Sequence, residues 1–528
     1  MAEGRAQNPT AVALNPAGIN PWIIAIAVML STFMEVLDTT VVNVSLPHIA
    51  GSLSATVEEA TWTLTSYLVS NAIILPLTGW LSNYFGRKRM LMMSVVGFTT
   101  ASFLCGLAPT LGFLIFFRIV QGACGGGLQP ISQAILLESF PPQDRGKAMG
   151  FWGLGIVVAP MLGPLLGGWL TDSYSWRWVF YINVPIGVLA IVMTRLFVFD
   201  PPYIRRRSSS IDYWGIGMLA LGIAALQIVL DKGQEKDWFG THWITVVTVV
   251  AAAALIAFVI YELHVEHPVV DLRVFKNVTY STGVFLMAVL GVGLYGSLVL
   301  IPLVLQTVLG FPAFQAGIAM APRGVGSFIA MPAVGILLAK LDARKMLGVG
   351  IVTCAITLFQ LSNLNTNAGF WDFCWPQFFM GLALGCLFVP LTTISMDPIP
   401  NEQMGNATSL FNLVRNLGGS IGIAAVSTIQ TRREQVDVHQ LGAHVSRGNR
   451  LAAHMFEMLR GYFLSKGSGP VDATRQARGA LFAMVQHEAS MMSYNTTFRI
   501  LAFLFLAMIP FVFLLKRPRM KKGPVGAH

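Results

Sequence analysis

Residues 79–91 read Gly79-Trp-Leu-Ser-Asn-Tyr-Phe-Gly-Arg-Lys-Arg-Met-Leu, and residues 335–347 read Gly335-Ile-Leu-Leu-Ala-Lys-Leu-Asp-Ala-Arg-Lys-Met-Leu. Both segments follow a long apolar stretch and contain basic residues. Four of the thirteen positions are identical at an offset of 256 residues. The sequence therefore predicts two related halves, with chance similarity between membrane segments as the alternative.

The composition excludes an ordinary soluble domain. Hydrophobic residues make up 54% of the 528 residues and charged residues only 11%, against about 25% charged in soluble proteins. Fourteen membrane helices of roughly 20 residues each would account for this apolar fraction. The formal net charge of +10 would elsewhere indicate nucleic-acid binding, but its distribution points to membrane topology instead.

Uncharged stretches bounded by proline, glycine and polar residues predict fourteen spans, because a charge at the centre of a bilayer is costly. The predicted spans are 21–46, 60–82, 90–108, 112–137, 148–171, 177–198, 211–230, 242–261, 279–308, 313–339, 346–364, 373–396, 404–429 and 495–515. The offset of the repeat covers eight spans, which predicts two six-span halves separated by an inserted pair.

Basic residues alternate between successive loops, as expected when loops rich in Lys and Arg stay in the cytoplasm. With a cytoplasmic N-terminus, the cytoplasmic segments hold Arg87, Lys88, Arg89, Arg145, Lys147, Arg205, Arg206, Arg207, Arg273, Lys276, Lys340, Arg344, Lys345, Lys516, Arg517, Arg519, Lys521 and Lys522. The short outer loops hold Arg177, Lys232 and Lys236. This alternation predicts an even number of spans with both termini cytoplasmic.

The predicted organisation has five parts. They are a cytoplasmic tail at 1–20, a six-helix lobe at 21–200, a two-helix linker at 201–270, a second six-helix lobe at 271–515 and a basic cytoplasmic tail at 516–528. The second lobe includes an extracytoplasmic loop at 431–493, where apolar residues recur with helical spacing and Gly467-Ser-Gly-Pro470 is expected to turn between two helices.

Other chemistries find little support in the residues. The five cysteines lack CxxC spacing and neighbouring histidines, which disfavours a disulfide framework or a zinc site. No Ser/His/Asp set and no ATP-binding loop is present. We therefore expect a protein that is not an enzyme and that has no cofactor and no metal.

Three motifs carry a resemblance to a known family. They are the loop segment 79–89, Arg118-Ile-Val-Gln121-Gly122 in the fourth span, and Ala159-Pro160-Met-Leu-Gly163-Pro164-Leu-Leu-Gly167-Gly168 in the fifth. The chain resembles the major facilitator superfamily, and within it the fourteen-span drug:proton antiporters of the EmrB/QacA type. The resemblance implies an all-α integral membrane protein with two six-helix lobes and two inserted spans.

In the loop motif, the resemblance implies that Gly79 and Gly86 allow close packing and that Arg87 and Lys88 help to latch the cytoplasmic face. Asn83 departs from the motif, which usually has an acidic residue there, and this weakens any charge-relay account of gating. The alternative is that the basic residues only set the topology.

The first span places Glu35 and Asp38 in the middle of the membrane. Residues three apart lie on neighbouring positions of a helix face, and two close carboxylates resist ionising together, which suits a proton carrier. At 1.5 Å per residue, Arg118 and Asp38 lie at similar depths. We expect Arg118 to tune the carboxylate pair, with a fixed structural ion pair as the alternative.

The fifth-span motif resembles the signature of antiporters rather than uptake symporters. Pro160 and Pro164 weaken backbone hydrogen bonding, while the glycines of this span permit close helix contacts. Together these properties are expected to support rocking during exchange. Generic helix packing is the alternative.

Arg323 and Arg415 lie near the middle of their spans and either face a substrate cavity or bind helix carbonyls. If they face the cavity, they oppose simple cations and assist acidic or zwitterionic substrates. Further candidates for the cavity are Asn43, Trp62, Tyr67, Asn71, Gln129, Gln133, Tyr295, Gln306 and Gln377.

These features predict a proton-coupled antiporter of the cytoplasmic (inner) membrane that exports small amphipathic toxic compounds by alternating access. A facilitator for a metabolite, such as an organic anion, siderophore or lipid precursor, is the alternative. The resemblance also implies a periplasmic membrane-fusion adaptor and an outer-membrane channel as partners, with 431–493 as the docking surface. A cap on the membrane surface is the alternative for this loop, and nucleic acid is not expected to bind.

Overall fold

The computed structural model describes residues 20–200, 212–266, 268–445 and 449–516, and the secondary-structure elements of this part of the chain are all helices. The predicted basic residues at 205–207 and 517–522 lie outside the described residues, as do residues 1–19 of the predicted N-terminal tail and 517–528 of the C-terminal tail.

The first half of the chain forms eight helices. They are α1 (Pro21–Ser52), α2 (Val57–Phe85), α3 (Arg87–Leu107), α4 (Leu111–Gly125), α5 (Leu128–Ser139), α6 (Arg145–Ser173), α7 (Trp178–Tyr181) and α8 (Asn183–Phe197). Two further helices follow, namely α9 (Tyr213–Lys232) and α10 (His242–His264).

The second half adds nine helices. They are α11 (Val278–Leu303), α12 (Ala313–Met320), α13 (Pro322–Leu337), α14 (Ala343–Leu361), α15 (Phe370–Met396), α16 (Met404–His444), α17 (Arg450–Ser465), α18 (Pro470–Leu506) and α19 (Ile509–Val512). A single π-helical turn, Val304–Val308, follows α11.

Thirteen helical segments in the described ranges are long and apolar enough to cross a membrane. The remaining predicted span, 404–429, forms the first part of α16 and is also helical. Its polar residues Asn406, Asn412 and Arg415 make this segment less apolar than the other thirteen, yet all three side chains are buried. Helices α2, α11 and α18 pack around it, so its polar groups are enclosed by protein rather than by lipid.

The two halves repeat one pattern of neighbours. In the first half, α1 packs on α6 and α8, while α3 packs on α4 and α8. In the second half, α11 packs on α16 and α18, while α14 packs on α15 and α18. The predicted internal repeat is therefore present in the tertiary structure as two equivalent bundles.

The bundles meet along α6 with α13 and along α2 with α16. We call the membrane face where α1 begins the near face and the opposite one the far face. At the near face, a Cβ atom on Gly79 of α2 would lie 2.7 Å from the Cα of Asn406 in α16. A Cβ atom on Gly335 of α13 would likewise lie 2.7 Å from the carbonyl oxygen of Gly146 in α6. The halves thus touch backbone to backbone at the near face.

The inserted helix α9 packs against both halves. Lys232 donates to the Thr61 hydroxyl of α2 at 2.7 Å, and Gln227 donates to the Ser420 hydroxyl of α16 at 3.0 Å. In the loop after α9, Lys236 pairs with Glu58, and this hydrogen bond raises the pKa of the Lys236 ammonium above its ordinary value. Helix α9 therefore covers the seam between α2 and α16.

The polar stretch 431–493 is helical in its described residues. Helix α16 continues to His444, α17 follows, and α18 runs without interruption from this region into the last span. The turn between α17 and α18 contains Gly467 at φ +90°, a conformation that favours glycine. This turn lies where the sequence predicted one.

Candidate functional site

Asp38 lies in the interior of the first bundle, where its carboxylate has three donors. The side chain is fully buried. Its Oδ2 accepts a hydrogen bond from Nη1 of Arg118 at 2.6 Å. Its Oδ1 accepts from Nε2 of Gln121 at 2.9 Å and from Nδ2 of Asn183 at 2.7 Å. This is a buried ion pair in which two amide donors add to the guanidinium, the kind of support that such a pair needs to be tolerated, while Nη2 of Arg118 has no hydrogen-bond partner among the described residues.

The Arg118 guanidinium is held from several sides. Its Nε donates to the Thr63 carbonyl at 3.1 Å, and its Nη1 also donates to Oε1 of Gln121 at 2.8 Å. The ring of Tyr67 lies beneath it, with its centroid 4.1 Å from the central carbon of the guanidinium. Such a planar cation stacks on aromatic faces while it forms hydrogen bonds in its plane, so Arg118 is fixed in one orientation.

Glu35 is also buried, but its partners are neutral amides. Its Oε1 accepts from Nδ2 of Asn71 at 3.1 Å, and its Oε2 accepts from Nε2 of Gln129. The Oε1 of Gln129 in turn accepts from Nη2 of Arg415 in α16. One glutamine therefore connects a carboxylate of the first bundle to a guanidinium of the second.

Of the two carboxylates that Arg118 is expected to tune, it contacts Asp38 directly. Arg118 pairs with Asp38, while no ion pair to Glu35 forms within 4.0 Å among the described residues. Three residues turn an α-helix by about 300°, so the two side chains leave α1 about 60° apart. This separation directs Asp38 toward α4 and α8 and Glu35 toward α2 and α5.

Both arginines of the second bundle are buried, with 2% of each side chain exposed. The Nη1 and Nη2 of Arg323 each donate to the Ser297 hydroxyl at 3.3 Å. The Nη2 of Arg415 donates to Gln129 and, at 3.2 Å, to Oδ1 of Asn416. Their hydrogen bonds thus go to side chains rather than to helix carbonyls, and neither arginine is exposed to solvent.

Two other buried candidates lie near the contact between the bundles or inside the second one. The Oε1 of Gln133 accepts from Nδ2 of Asn412 in α16 at 2.6 Å. Gln377 in α15 is fully buried, and neither its amide nitrogen nor its amide oxygen has a hydrogen-bond partner in the described part of the chain.

Of the remaining candidates, Asn43, Trp62 and Gln306 lie apart from these networks, whereas Tyr295 lies near Arg415. Asn43 and Gln306 are exposed, and Trp62 is 38% exposed beside Lys232 of α9. Tyr295 is half-buried, with its ring against Gly419. A pocket of about 410 Å³ lies elsewhere, at the far face, between Thr307, Gln430, Glu434, His487 and Tyr494.

The loop motif at the near face holds several chain segments together. Arg87 forms an ion pair with Glu138 at 2.6 Å, and the backbone N–H of Lys88 donates to Oδ1 of Asp200 at 2.8 Å. Gly86 has φ +91°, and a Cβ atom there would lie 2.9 Å from the Asp200 carboxylate. Asn83 is exposed.

In α6, the glycines of the predicted antiporter motif face α1. A Cβ atom on Gly163 would lie 2.1 Å from the Thr40 hydroxyl, and one on Gly167 would lie 2.7 Å from the Val41 carbonyl oxygen. A Cβ atom on Gly168 would meet nothing nearer than 3.9 Å. Helix α6 stays continuous through Pro160 and Pro164. In α4, a Cβ atom on Gly122 would lie 2.4 Å from the Tyr67 carbonyl oxygen.

Sequence reasoning missed several residues of these networks. Asn183 is an amide inside an apolar span and could have been noticed for that reason, but its contact with Asp38 joins residues 145 positions apart. Glu138 of α5 and Asp200, which follows the end of α8, contact the loop motif from other parts of the chain. The described ranges contain no group of three or more His, Cys, Asp and Glu side chains that could hold a metal ion, and the five cysteines are free thiols.

Residues 28–423 match the model of the Major Facilitator Superfamily. The chain belongs to this superfamily. It is 38% identical to the multidrug export protein EmrB of Escherichia coli K12 over 508 residues, which cover 96% of this chain and 98% of EmrB. It is 36% identical to the fatty acid resistance protein FarB of Neisseria gonorrhoeae, again with 96% and 98% covered.

Solved major facilitator structures share the fold. The proton:xylose symporter XylE superposes with a TM-score of 0.56 at 18% identity, covering 93% of this chain and 96% of XylE. The match agrees with the two equivalent bundles, and in this chain α9 and α10 form an additional pair between them. The superfamily consists of membrane transporters, so the two carboxylate networks lie within a multi-pass transport protein.

Proposed function

We propose that this chain is a proton-driven antiporter that exports small amphipathic toxic compounds across the cytoplasmic membrane of a bacterium. The names of the multidrug exporter EmrB and of the resistance protein FarB, which match over nearly the whole chain, support the substrate class. In this proposal both termini are cytoplasmic, the near face is the cytoplasmic face, and the proton gradient supplies the energy without a cofactor.

The observation that carries the proposal is the pair of buried carboxylates on α1 with unlike partners. Asp38 is neutralised by Arg118, whereas Glu35 is held by the amides of Asn71 and Gln129. A buried carboxylate without a paired cation is costly in its charged form, and Glu35 is the carboxylate of this pair that has no paired cation. We assign proton uptake to Glu35 and a sensing role to Asp38 with Arg118.

Gln129 provides a link from protonation to movement of the bundles. Its amide N–H groups donate to Glu35 while its amide oxygen accepts from Arg415. Hydrogen bonds to an ionised carboxylate are stronger than those to a neutral one. Protonation of Glu35 therefore loosens Gln129 and, through it, the contact with the second bundle, which favours separation of the halves at the near face.

Proton exchange in liposomes tests this function. Purified protein is reconstituted with a pH-sensitive dye inside, and a pH gradient is imposed while ethidium, a cationic amphipath, is followed by fluorescence. We expect the wild type to exchange ethidium for protons and Glu35→Gln to lose proton-driven exchange by at least tenfold. Asp38→Asn is expected to lose it as well, because Arg118 is then left without its counter-ion.

Glu402→Gln makes the same chemical change at an exposed carboxylate, is the matched control and should keep wild-type exchange. Proton-dependent exchange that is unchanged in both carboxylate variants would exclude the assigned roles. Absence of any exchange in the wild type with a panel of amphipathic drugs would overturn the antiporter itself.

An adaptor and an outer-membrane channel as partners belong to the same proposal. The docking surface would be the far-face helices, where α17 exposes Leu451, Met458 and Tyr462. Association of the purified chain with a purified membrane-fusion adaptor, lost when these three positions carry serine, would support docking there. If the wild type and the serine variant associate equally well with the adaptor, this surface is excluded as the docking site.

A further inference from the structure

The second bundle contains a buried guanidinium without a paired carboxylate. Arg323 is 2% exposed, and both of its terminal nitrogens donate to one neutral hydroxyl, that of Ser297 in α11. No ion pair to it forms within 4.0 Å in the described ranges. A buried charge without a counter-ion carries a large desolvation cost, so this position would strongly favour an anion.

A second polar group with unused hydrogen-bonding capacity lies on the helix next to Arg323. Gln377 in α15 is fully buried, and both polar atoms of its amide lack partners among the described residues. One turn further along α15, a Cβ atom on Gly381 would lie 2.0 Å from the Arg323 carbonyl oxygen. Residues four apart share a helix face, so Gln377 lies on the face that α15 presents to Arg323.

The helix directions bring the two side chains to one level. Both α13 and α15 begin at the far face and run toward the near face. Side chains on a helix tilt toward its N-terminus, so the long Arg323 side chain extends from the level of Gly381 toward that of Gln377. Ser297 receives it from α11, which encloses the guanidinium between three helices.

The internal repeat identifies what is missing. Gln377 lies 256 residues after Gln121, the same offset that aligns Gly335 with Gly79. In the first bundle, Gln121 and Arg118 both bind the Asp38 carboxylate. The position 256 residues after Asp38 is Leu294, an apolar residue of α11. The position 256 residues after Arg118 is Cys374, whereas Arg323 lies 256 residues after Tyr67, the residue on whose ring Arg118 stacks. The second bundle thus keeps the glutamine, carries its guanidinium at a different position and has an apolar residue in place of the aspartate.

We propose that Arg323, Gln377 and Ser297 bind the acidic headgroup of a transported amphipath, a carboxylate or sulfonate that takes the place of the missing aspartate. This proposal rests on the proposed export function and names one substrate class for it. A guanidinium fork matches two oxygens of such a headgroup, and the Gln377 amide supplies a further donor.

The site lies beside the surface along which the two bundles meet. A Cβ atom on Gly324, the residue after Arg323, would lie 2.3 Å from the Met161 sulfur of α6. The site is closed in this structure, since Arg323 and Gln377 are both buried. Separation of α6 from α13 during alternating access would open a path to it, and the apolar chain of the substrate would then lie between the bundles.

The test uses two permanently charged probes with the same chain, dodecanesulfonate and dodecyltrimethylammonium, so that neither crosses the liposome as a neutral form. Proton-driven transport of each is measured for the wild type, Arg323→Gln, Gln377→Leu and the control Arg433→Gln on the exposed part of α16. We expect Arg323→Gln to lower dodecanesulfonate transport at least tenfold and Gln377→Leu several-fold. Transport of dodecyltrimethylammonium should stay within twofold of the wild type.

Thermal stability separates binding from structure. Removing an unpaired buried charge should leave the melting temperature of Arg323→Gln unchanged or higher, since its desolvation cost disappears. Equal losses for both probes together with a lower melting temperature would make Arg323 structural and overturn the proposal. Unchanged dodecanesulfonate transport in Arg323→Gln would overturn it as well.

Two further arms identify the source of failure. If the wild type transports dodecyltrimethylammonium but not dodecanesulfonate, the proposed export function is supported and the proposed headgroup site is wrong. If it transports neither probe and no ethidium, the export function itself falls. Chloride alone could raise the melting temperature of the wild type but not that of Arg323→Gln, while Arg323→Gln still transports dodecanesulfonate. That result would assign the site to a small ion and overturn the headgroup assignment.

Discussion

Single residues on α1 show how the same chemical group acquires different properties within one helix. The carboxylate of Asp38 accepts from a guanidinium and two amides, while that of Glu35 accepts from amides alone. In a membrane interior the nearest donors dominate, because little water is present to screen or replace them. The different roles that we propose for the two groups therefore rest on their partners rather than on their residue types.

The Asp38 and Arg118 pair leads to a prediction about stability. Asp38→Asn leaves the Arg118 charge buried and unpaired, which should cost about 3–5 kcal/mol and lower the melting temperature in detergent. Adding Arg118→Met removes that charge and should recover part of the loss. A loss of stability in the double variant equal to the sum of the two single losses would show that the pair does not couple energetically.

Helix α6 shows at the scale of an element why glycine is needed on one side and not on the other. Gly163 and Gly167 face α1 at distances that exclude a Cβ atom, while Gly168 has free space around it. Close approach of this kind replaces the hydrophobic effect as the driving force for helix association in lipid. The spacing of the glycines therefore sets the contact between α1, which carries both carboxylates, and α6.

We expect Gly167→Ala to force α6 away from α1 and to destabilise the protein by about 1–3 kcal/mol, with a several-fold loss of ethidium transport. Gly168→Ala adds the same methyl group one position along and should behave like the wild type. Melting temperature and liposome transport measure both. Equal effects of the two substitutions would show that the α1 contact is not the cause.

In the molecule as a whole, the two bundles touch backbone to backbone at the near face, where glycines of α2 and α6 meet α16 and α13. Export by alternating access requires these contacts to separate in every cycle. A transporter of this fold moves its halves largely as rigid bodies, so a single covalent link across the near face should stop it.

A disulfide between Ser82→Cys and Gly405→Cys provides that link. A Cβ atom on Gly405 would lie 3.1 Å from the Ser82 hydroxyl, within the range that disulfide geometry allows. Oxidation should reduce transport at least tenfold in the double variant, and a reductant should restore it. The single variants and the wild type, with its five native cysteines, control for the oxidant. Full transport in the crosslinked protein would contradict separation at the near face.

Much of the fold could be predicted from the sequence because its main cause is local. Long uncharged stretches form helices in a membrane, where every backbone polar group must bond within its own segment, and all fourteen predicted spans are helical. Residues 404–429 could still be predicted as a span, although their polar side chains make the first part of α16 less apolar than the other spans. The residue composition of that helix is explained only by its enclosure between other helices.

Helix rise fixes depth along each span, so the order of residues was enough to place the ionisable groups Glu35, Asp38, Arg118, Arg323 and Arg415 in the membrane. Which of these groups meet depended on how the helices pack in the folded protein. Rotation of each helix about its own axis depends on packing against distant segments, and that packing brings Asn183 to Asp38 and Gln129 between Glu35 and Arg415. The depth of a side chain in the membrane is set by its own helix, whereas its contact partners are set by the packing of several helices.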